Sequence, residues 1–132
     1  MSRIGNYIHG KCVKGKSTDE LSVFNPSTGE ELSRVVLSNS DDFKEVIESS
    51  KKGLNEWSNF TPLKRSRILS KYKELIEKNI NELAPIVSME HGKTLDDAKG
   101  SVQRGLEVLE FACGIPHLLK GEFSQNVGTG ID

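Results

Sequence analysis

Few residues in this sequence are suited to metal, disulfide or membrane chemistry. It has only two cysteines, Cys12 and Cys113, and three histidines, His9, His91 and His117. Two thiols so far apart form neither a disulfide framework nor a zinc site. No histidine stands at i, i+4 from another histidine or a cysteine, so no metal motif is present. Aromatic residues are 6% of the chain. An excess of charge of one sign is also missing: 18 basic residues face 19 acidic ones, for a net charge of -1. A nucleic-acid or polyanion specialist would carry a clear basic excess. No apolar run approaches the roughly 20 residues of a membrane span. The first residues, Met1 to Asn6, lack the apolar segment of a secretory signal. These absences predict a cytoplasmic protein with reduced thiols and neither nucleic acid nor membrane as partner.

The 132 residues suffice for one domain or part of a larger one. Residues 1–37 read as strands and turns. Asn6 to Lys11 reads as a short strand ending in a glycine turn. Leu21–Phe24 and Glu31–Leu37 read as a β-hairpin across Asn25-Pro26-Ser27-Thr28-Gly29-Glu30, in which Pro presets φ and Gly supplies a positive φ. A lone hairpin is marginal in water, so this one needs a further packing partner.

Residues 38–119 carry a helical period, and about four helices are predicted. Ser40 is the expected N-cap of the first, with Asp41 and Asp42 in its first turn. Phe43, Val46, Ile47, Leu54 and Trp57 form its apolar stripe. Thr61-Pro62 opens the second helix in the cap-then-proline pattern, with a stripe of Ile68, Leu69, Tyr72, Leu75 and Ile76. Asn79 or Asn81 caps a third, which takes Pro85 in its first turn and stops at Gly92. Thr94 starts the fourth, with Asp97 three residues on, and Gly114 and Pro116 end it. Residues 120–132 read as an irregular tail.

The fourth helix has two apolar rows. Leu95, Ala98, Val102, Leu106, Leu109, Ala112 and Cys113 share one face; Val108, Phe111 and Ile115 stand mostly opposite, with Arg104 on their side. A helix apolar on two faces is normally buried between two partners, more than three helices and a hairpin readily provide. The expectation is therefore a fragment of a larger protein.

Several chemical readings give way to bland ones. Glu90 and His91 are adjacent on a helix and point in different directions. Cys113 lies near a helix C-terminus, where the dipole opposes a thiolate, and reads as a small core residue. Lys64, Arg65, Arg67, Lys71 and Lys73 form a basic patch, but no aromatics interleave it for base stacking, and a solvated face accounts for it. Gly128 and Gly130 lack the helix and Lys-Ser/Thr of a phosphate loop. Arg104 stands out. Partly buried in a complete protein, it would need an anionic partner. That partner is either an internal carboxylate or a substrate carboxylate held bidentately.

The ordered set of segments resembles the aldehyde dehydrogenase superfamily. It comprises Tyr7 to Lys11, Asn25 to Glu30, the helix from Asp41 to near Trp57, Lys64 to Leu69, and Glu90-His91-Gly92-Lys93-Thr94-Leu95. Within that superfamily, Arg104 to Cys113 and Leu118 to Glu122 are most similar to the CoA-acylating methylmalonate-semialdehyde dehydrogenases. The resemblance implies an α/β parent fold, with residues 1–132 as the N-terminal, mainly helical part of its cofactor-binding domain. It implies an oxidoreductase in which a cysteine attacks an aldehyde, hydride passes to NAD, and coenzyme A takes up the acyl group. The nucleophile and the dinucleotide turn are expected beyond Asp132. No catalytic residue and no tight cofactor binding are therefore expected within this chain. The expected partners are the rest of the polypeptide or subunits of a homo-oligomer, and a small semialdehyde. Arg104 falls where the family's carboxylate-holding arginine is expected. The rival reading is a self-contained helical interaction module using Val108, Phe111 and Ile115.

Overall fold

The hairpin read from the sequence is present, and its loop is built from the residues that signalled it. In the computed structural model, which describes residues 2–122 and 128–129, Asn25 Oδ1 accepts from the Ser27 amide at 3.0 Å. The Asn25 carbonyl accepts from the Thr28 and Gly29 amides, and Gly29 takes a φ of 74°. This Asx-type turn joins Glu20–Phe24 to Glu31–Val36, which pair antiparallel with Leu21 opposite Val35.

The packing partner demanded for the hairpin is partly a strand that the sequence did not reveal. Ser2–Ile4, here β1, pairs parallel with the far edge of the Glu31–Val36 strand. Asn6–Ile8 (β2) and Lys11–Val13 (β3) form a separate antiparallel pair, so the expected single short strand is a second hairpin. Its two-residue turn puts His9 at φ 51° and Gly10 at φ 74°, the positive pair that a tight hairpin with native twist requires. The longer strands are then β4 (Glu20–Phe24) and β5 (Glu31–Val36), and the three-stranded sheet runs β1-β5-β4.

Among the described residues five helices follow rather than four: α1 (Ser40–Ser58), α2 (Pro62–Lys78), α3 (Ile80–His91), α4 (Leu95–Cys113) and a single turn, α5 (Ile115–Leu118). The extra turn arises because Gly114 ends α4 in an ordinary right-handed conformation, so Pro116 can sit at the start of a new turn instead of stopping the chain.

One cap assignment and the place of one proline shift, while Asn79, one of the two caps expected for α3, is its N-cap. The α1 cap is Asn39, not Ser40: its Oδ1 accepts from the Asp41 and Asp42 amides while Asp42 Oδ2 accepts from the Asn39 amide at 3.0 Å. This reciprocal box leaves no donor of the first turn for Ser40. Helix α3 begins at Ile80, so Pro85 lies inside it rather than in its first turn. The other boundaries fall where expected, with Thr61 capping α2 and Thr94 capping α4.

The most deeply buried carboxylate among the described residues is structural. Asp42 keeps 2% of its surface, and its Oδ1 also accepts from the Lys16 amide at 2.8 Å. Amide donation from Asn39 and then from Lys16 holds the Asp42 carboxyl below its ordinary range, against the opposing effect of burial. It thereby ties the start of α1 to the segment after β3.

Among the helices, α4 packs against both α2 and α3. Ala84, Ala98 and Leu106 make the buried part of this bundle, and Ser66 of α2 donates to the Cys113 carbonyl of α4 at 2.6 Å. Gly92 closes α3 in the left-handed region at φ 80°. A Cβ there would stand 2.7 Å from Pro26 Cγ, so the hairpin loop rests directly on the turn between α3 and α4.

Much of the predicted core is uncovered. Phe43 is 65% exposed, and Leu54, Tyr72 and Leu75 are also exposed. On the second face of α4, Val108 and Phe111 retain 69% and 71% of their surface, while Ile115 is half-buried. Of the tail, residues 123–127 and 130–132 lie outside the described residues.

Candidate functional site

The start of α4 gathers the cationic cluster of most interest. Thr94 Oγ1 accepts from the Asp97 amide at 3.2 Å and donates to the Asp97 carboxylate at 2.9 Å, fixing the first turn. One turn on, the Ser101 hydroxyl donates to the Asp97 carbonyl at 3.1 Å. The same oxygen accepts from Lys93 Nζ at 2.8 Å and from Arg104 Nη2 at 3.1 Å. Helical spacing explains these partners: Asp97 precedes Ser101 by four residues and Arg104 follows it by three, so all three lie on neighbouring turns. Lys93 enters from the connection before the helix, where its carbonyl is held by the Ser88 hydroxyl at 2.7 Å.

Arg104 is exposed, and neither it nor Lys93 takes part in an ion pair among the described residues. Among the described residues, no carboxylate lies within ion-pair distance of Arg104. Arg104 shares its helix face with the exposed Val108 and Phe111, which follow at i+4 and i+7, while its guanidinium turns back toward Gly100 and Ser101. A planar cation at the edge of an apolar surface suits a small carboxylate attached to an apolar body.

Sequence reasoning singled out Arg104 and missed Lys93 and Ser101 as its neighbours. The signal for Ser101 was its i, i+3 spacing to Arg104. Lys93 had none, because it precedes the helix and reaches Ser101 only through the turn after Gly92.

The other candidates remain apart. Cys12 is exposed on β3 and Cys113 is half-buried near the end of α4; both are free thiols. The Cys113 sulfur receives the Ser70 hydroxyl at 3.5 Å, in keeping with a packing role. His9 sits in the hairpin turn, His91 ends α3, and His117 lies in α5. Among the described residues no group of three or more His, Cys, Asp or Glu is arranged to hold a metal ion. Within the basic patch, Lys73 bonds Glu77 at 3.3 Å and Glu110 at 3.4 Å, and Lys64 Nζ lies 3.4 Å from the centre of the Phe60 ring. A cleft of about 450 Å³ is lined mainly by apolar residues of α2 and α3, including Tyr72, Leu75 and Ile86. It brings together no reactive groups.

The aldehyde dehydrogenase family matches residues 12–130. The chain belongs to the aldehyde dehydrogenase family. It is 41% identical over 134 residues to a malonate-semialdehyde dehydrogenase of Pseudomonas aeruginosa, covering 100% of this chain and 26% of that protein. A malonate-semialdehyde dehydrogenase of Bacillus cereus is 40% identical over 132 residues, with 100% and 27% covered. Among solved structures, methylmalonate-semialdehyde dehydrogenase from Oceanimonas doudoroffii superposes with a TM-score of 0.89 at 41% identity, covering 97% of this chain and 26% of that one. A provisionally assigned methylmalonate-semialdehyde dehydrogenase from Sinorhizobium meliloti, complexed with NAD, gives 0.91 at 45%, covering 98% and 26%. The chain therefore spans about a quarter of the length of the relatives it matches. The aldehyde dehydrogenase-like α/β fold foreseen from the ordered motifs is the fold present.

Gly10, Gly15, Gly29, Gly92 and Gly121 are the glycines with positive φ, and none of them joins a strand directly to a helix N-terminus in the way that cradles a pyrophosphate. No described helix is long and apolar enough to cross a membrane.

Proposed function

We propose that residues 1–132 are the N-terminal, mainly helical part of the cofactor-binding domain of an NAD-dependent, CoA-acylating (methyl)malonate-semialdehyde dehydrogenase. NAD, coenzyme A and the catalytic cysteine belong, in this reading, to further residues of the same cytoplasmic polypeptide. This chain contributes Arg104, whose guanidinium holds the carboxylate of the semialdehyde and so orients its aldehyde carbon.

The observation that carries the reading is Arg104 itself. It is a guanidinium in no ion pair among the described residues, on the helix face that carries the exposed Val108 and Phe111, in a chain 40–45% identical to enzymes named for carboxylate-bearing aldehydes. The relatives' length supports an assembled enzyme in which Val108 and Phe111 are covered by the rest of the polypeptide or by a homo-oligomer partner.

The test is an Arg104→Ala substitution in the polypeptide of the relatives' length, assayed with malonate semialdehyde and with a simple aldehyde lacking the carboxylate. Loss of a charge-assisted hydrogen bond costs about 1.5–3 kcal/mol, so KM for the semialdehyde should rise roughly 10- to 100-fold. The neutral aldehyde should be turned over as before. Equal losses on both substrates would overturn the assignment. The 132-residue chain alone should yield no NADH, and steady turnover from it would also count against the proposal. A helical interaction module is the second reading. It draws on the exposure of Phe111, and a genuine stop codon after Asp132 would favour it.

A further inference from the structure

The Ser101 hydroxyl has its whole hydrogen-bonding capacity engaged. A serine hydroxyl offers one donor and two acceptor lone pairs. Here the donor goes to the Asp97 carbonyl, and the oxygen receives both Lys93 Nζ and Arg104 Nη2. The bond to a helix carbonyl fixes where the lone pairs point. They in turn fix two otherwise flexible cations.

The cluster is also electrostatically incomplete. Both nitrogens lie within about 3 Å of one oxygen, so the two charges are at most about 6 Å apart, close enough to repel. Lys73, by contrast, has Glu77 and Glu110 beside it. These two have none among the described residues. An anion arriving next to them would find two donors already aimed and no competing carboxylate to displace.

We infer that Ser101 is the positioning residue of the carboxylate site, holding Arg104 in its binding orientation and tying it to Lys93 as a second positive charge facing the same anion. The inference rests on the reading of Arg104 as the carboxylate-binding residue and adds the residues that aim it. Ser101 does not itself touch substrate; it acts through Arg104. Lys93 raises the local positive potential, and its effect falls with added salt.

The experiment is steady-state kinetics of Ser101→Ala, Ser101→Thr and Lys93→Met in the polypeptide of the relatives' length, again with malonate semialdehyde and a neutral aldehyde. Ser101→Ala should raise KM for the semialdehyde about 5- to 10-fold, leave kcat within about twofold, and leave the neutral aldehyde unaffected. Ser101→Thr keeps the hydroxyl and should restore KM to near the parent value. It also guards against misreading a folding defect. Lys93→Met should raise the same KM, and the difference from the parent should shrink at high ionic strength. In an Arg104→Ala background, Ser101→Ala should add nothing. If Arg104→Ala discriminates between the two substrates and Ser101→Ala does not, the positioning role is wrong while the carboxylate reading stands. If Arg104→Ala fails to discriminate, both fall. A Ser101→Thr variant as impaired as Ser101→Ala would also overturn the inference.

Discussion

Replacing Gly92 with alanine should destabilise the chain by about 2–4 kcal/mol, and the size follows from two features of the position. First, its φ of 80° lies where a Cβ crowds the following carbonyl, at roughly 1–2 kcal/mol for a non-glycine residue. Second, the new methyl would stand 2.7 Å from Pro26 Cγ and 3.4 Å from Pro26 Cβ. The proline ring is rigid and belongs to a hydrogen-bonded loop, so it cannot swing aside as a long side chain would. Forcing an extra methyl into such a contact costs about 1–3 kcal/mol. The loss of freedom in the unfolded chain returns about 0.5 kcal/mol. Urea unfolding followed by far-UV circular dichroism reads the difference. The decisive measurement is the double-mutant cycle with Pro26→Ala, which removes the clashing Cγ but not the backbone strain. The double variant should be less destabilised than the sum of the singles by about 1–3 kcal/mol. A cycle additive to within about 0.5 kcal/mol, or a single Gly92→Ala variant as stable as the parent, would refute the contact between the hairpin loop and the α3–α4 turn.

Two further stability effects follow from the same geometry. The folded state holds Asp42 below its ordinary range, so its contribution is present above the unfolded-state pKa of about 3.9 and fades as pH falls through the lower folded value. Asp42→Asn should therefore narrow the gap in melting temperature between neutral and strongly acid solution, and an unchanged gap would contradict the role given to that carboxylate. Gly53 lies exposed within α1 with nothing within 4 Å of an added Cβ. Gly53→Ala should stabilise the helix by about 0.5–1 kcal/mol in the same urea assay, and a loss of stability would mean that this face is covered.

What could be read from the sequence was whatever is decided within a few residues. Thr61-Pro62, Thr94 with Asp97, and Gly92 were found because a cap is satisfied by its own neighbours. The loop from Asn25 to Glu30 was found for the same reason. Strand β1 was not, since its three residues pair with β5 some thirty positions later and carry no pattern of their own. The α1 cap was placed one residue late because Asn39 and Ser40 are both good caps. Only the return bond from Asp42 distinguishes them. The apolar stripes indicated which faces seek a partner, not whether one is present, so the exposure of Phe43 and Phe111 could not be foreseen. Arg104 was legible as a cation on an apolar face. Its link to Lys93 was not, because that contact spans a helix boundary where the 3.6-residue period no longer applies.

Among the described strands, β5 alone is flanked on both sides, by β4 and by β1. Ser2–Ile4 would be easy to discard as a start-site remnant or to burden with a purification tag. Removing them would open the β5 edge at Ser33 to Val35, and an open edge is a template for strands from other chains. In preparative terms, what is done to these three residues decides whether the short β1 or the longer β5 forms that edge of the sheet.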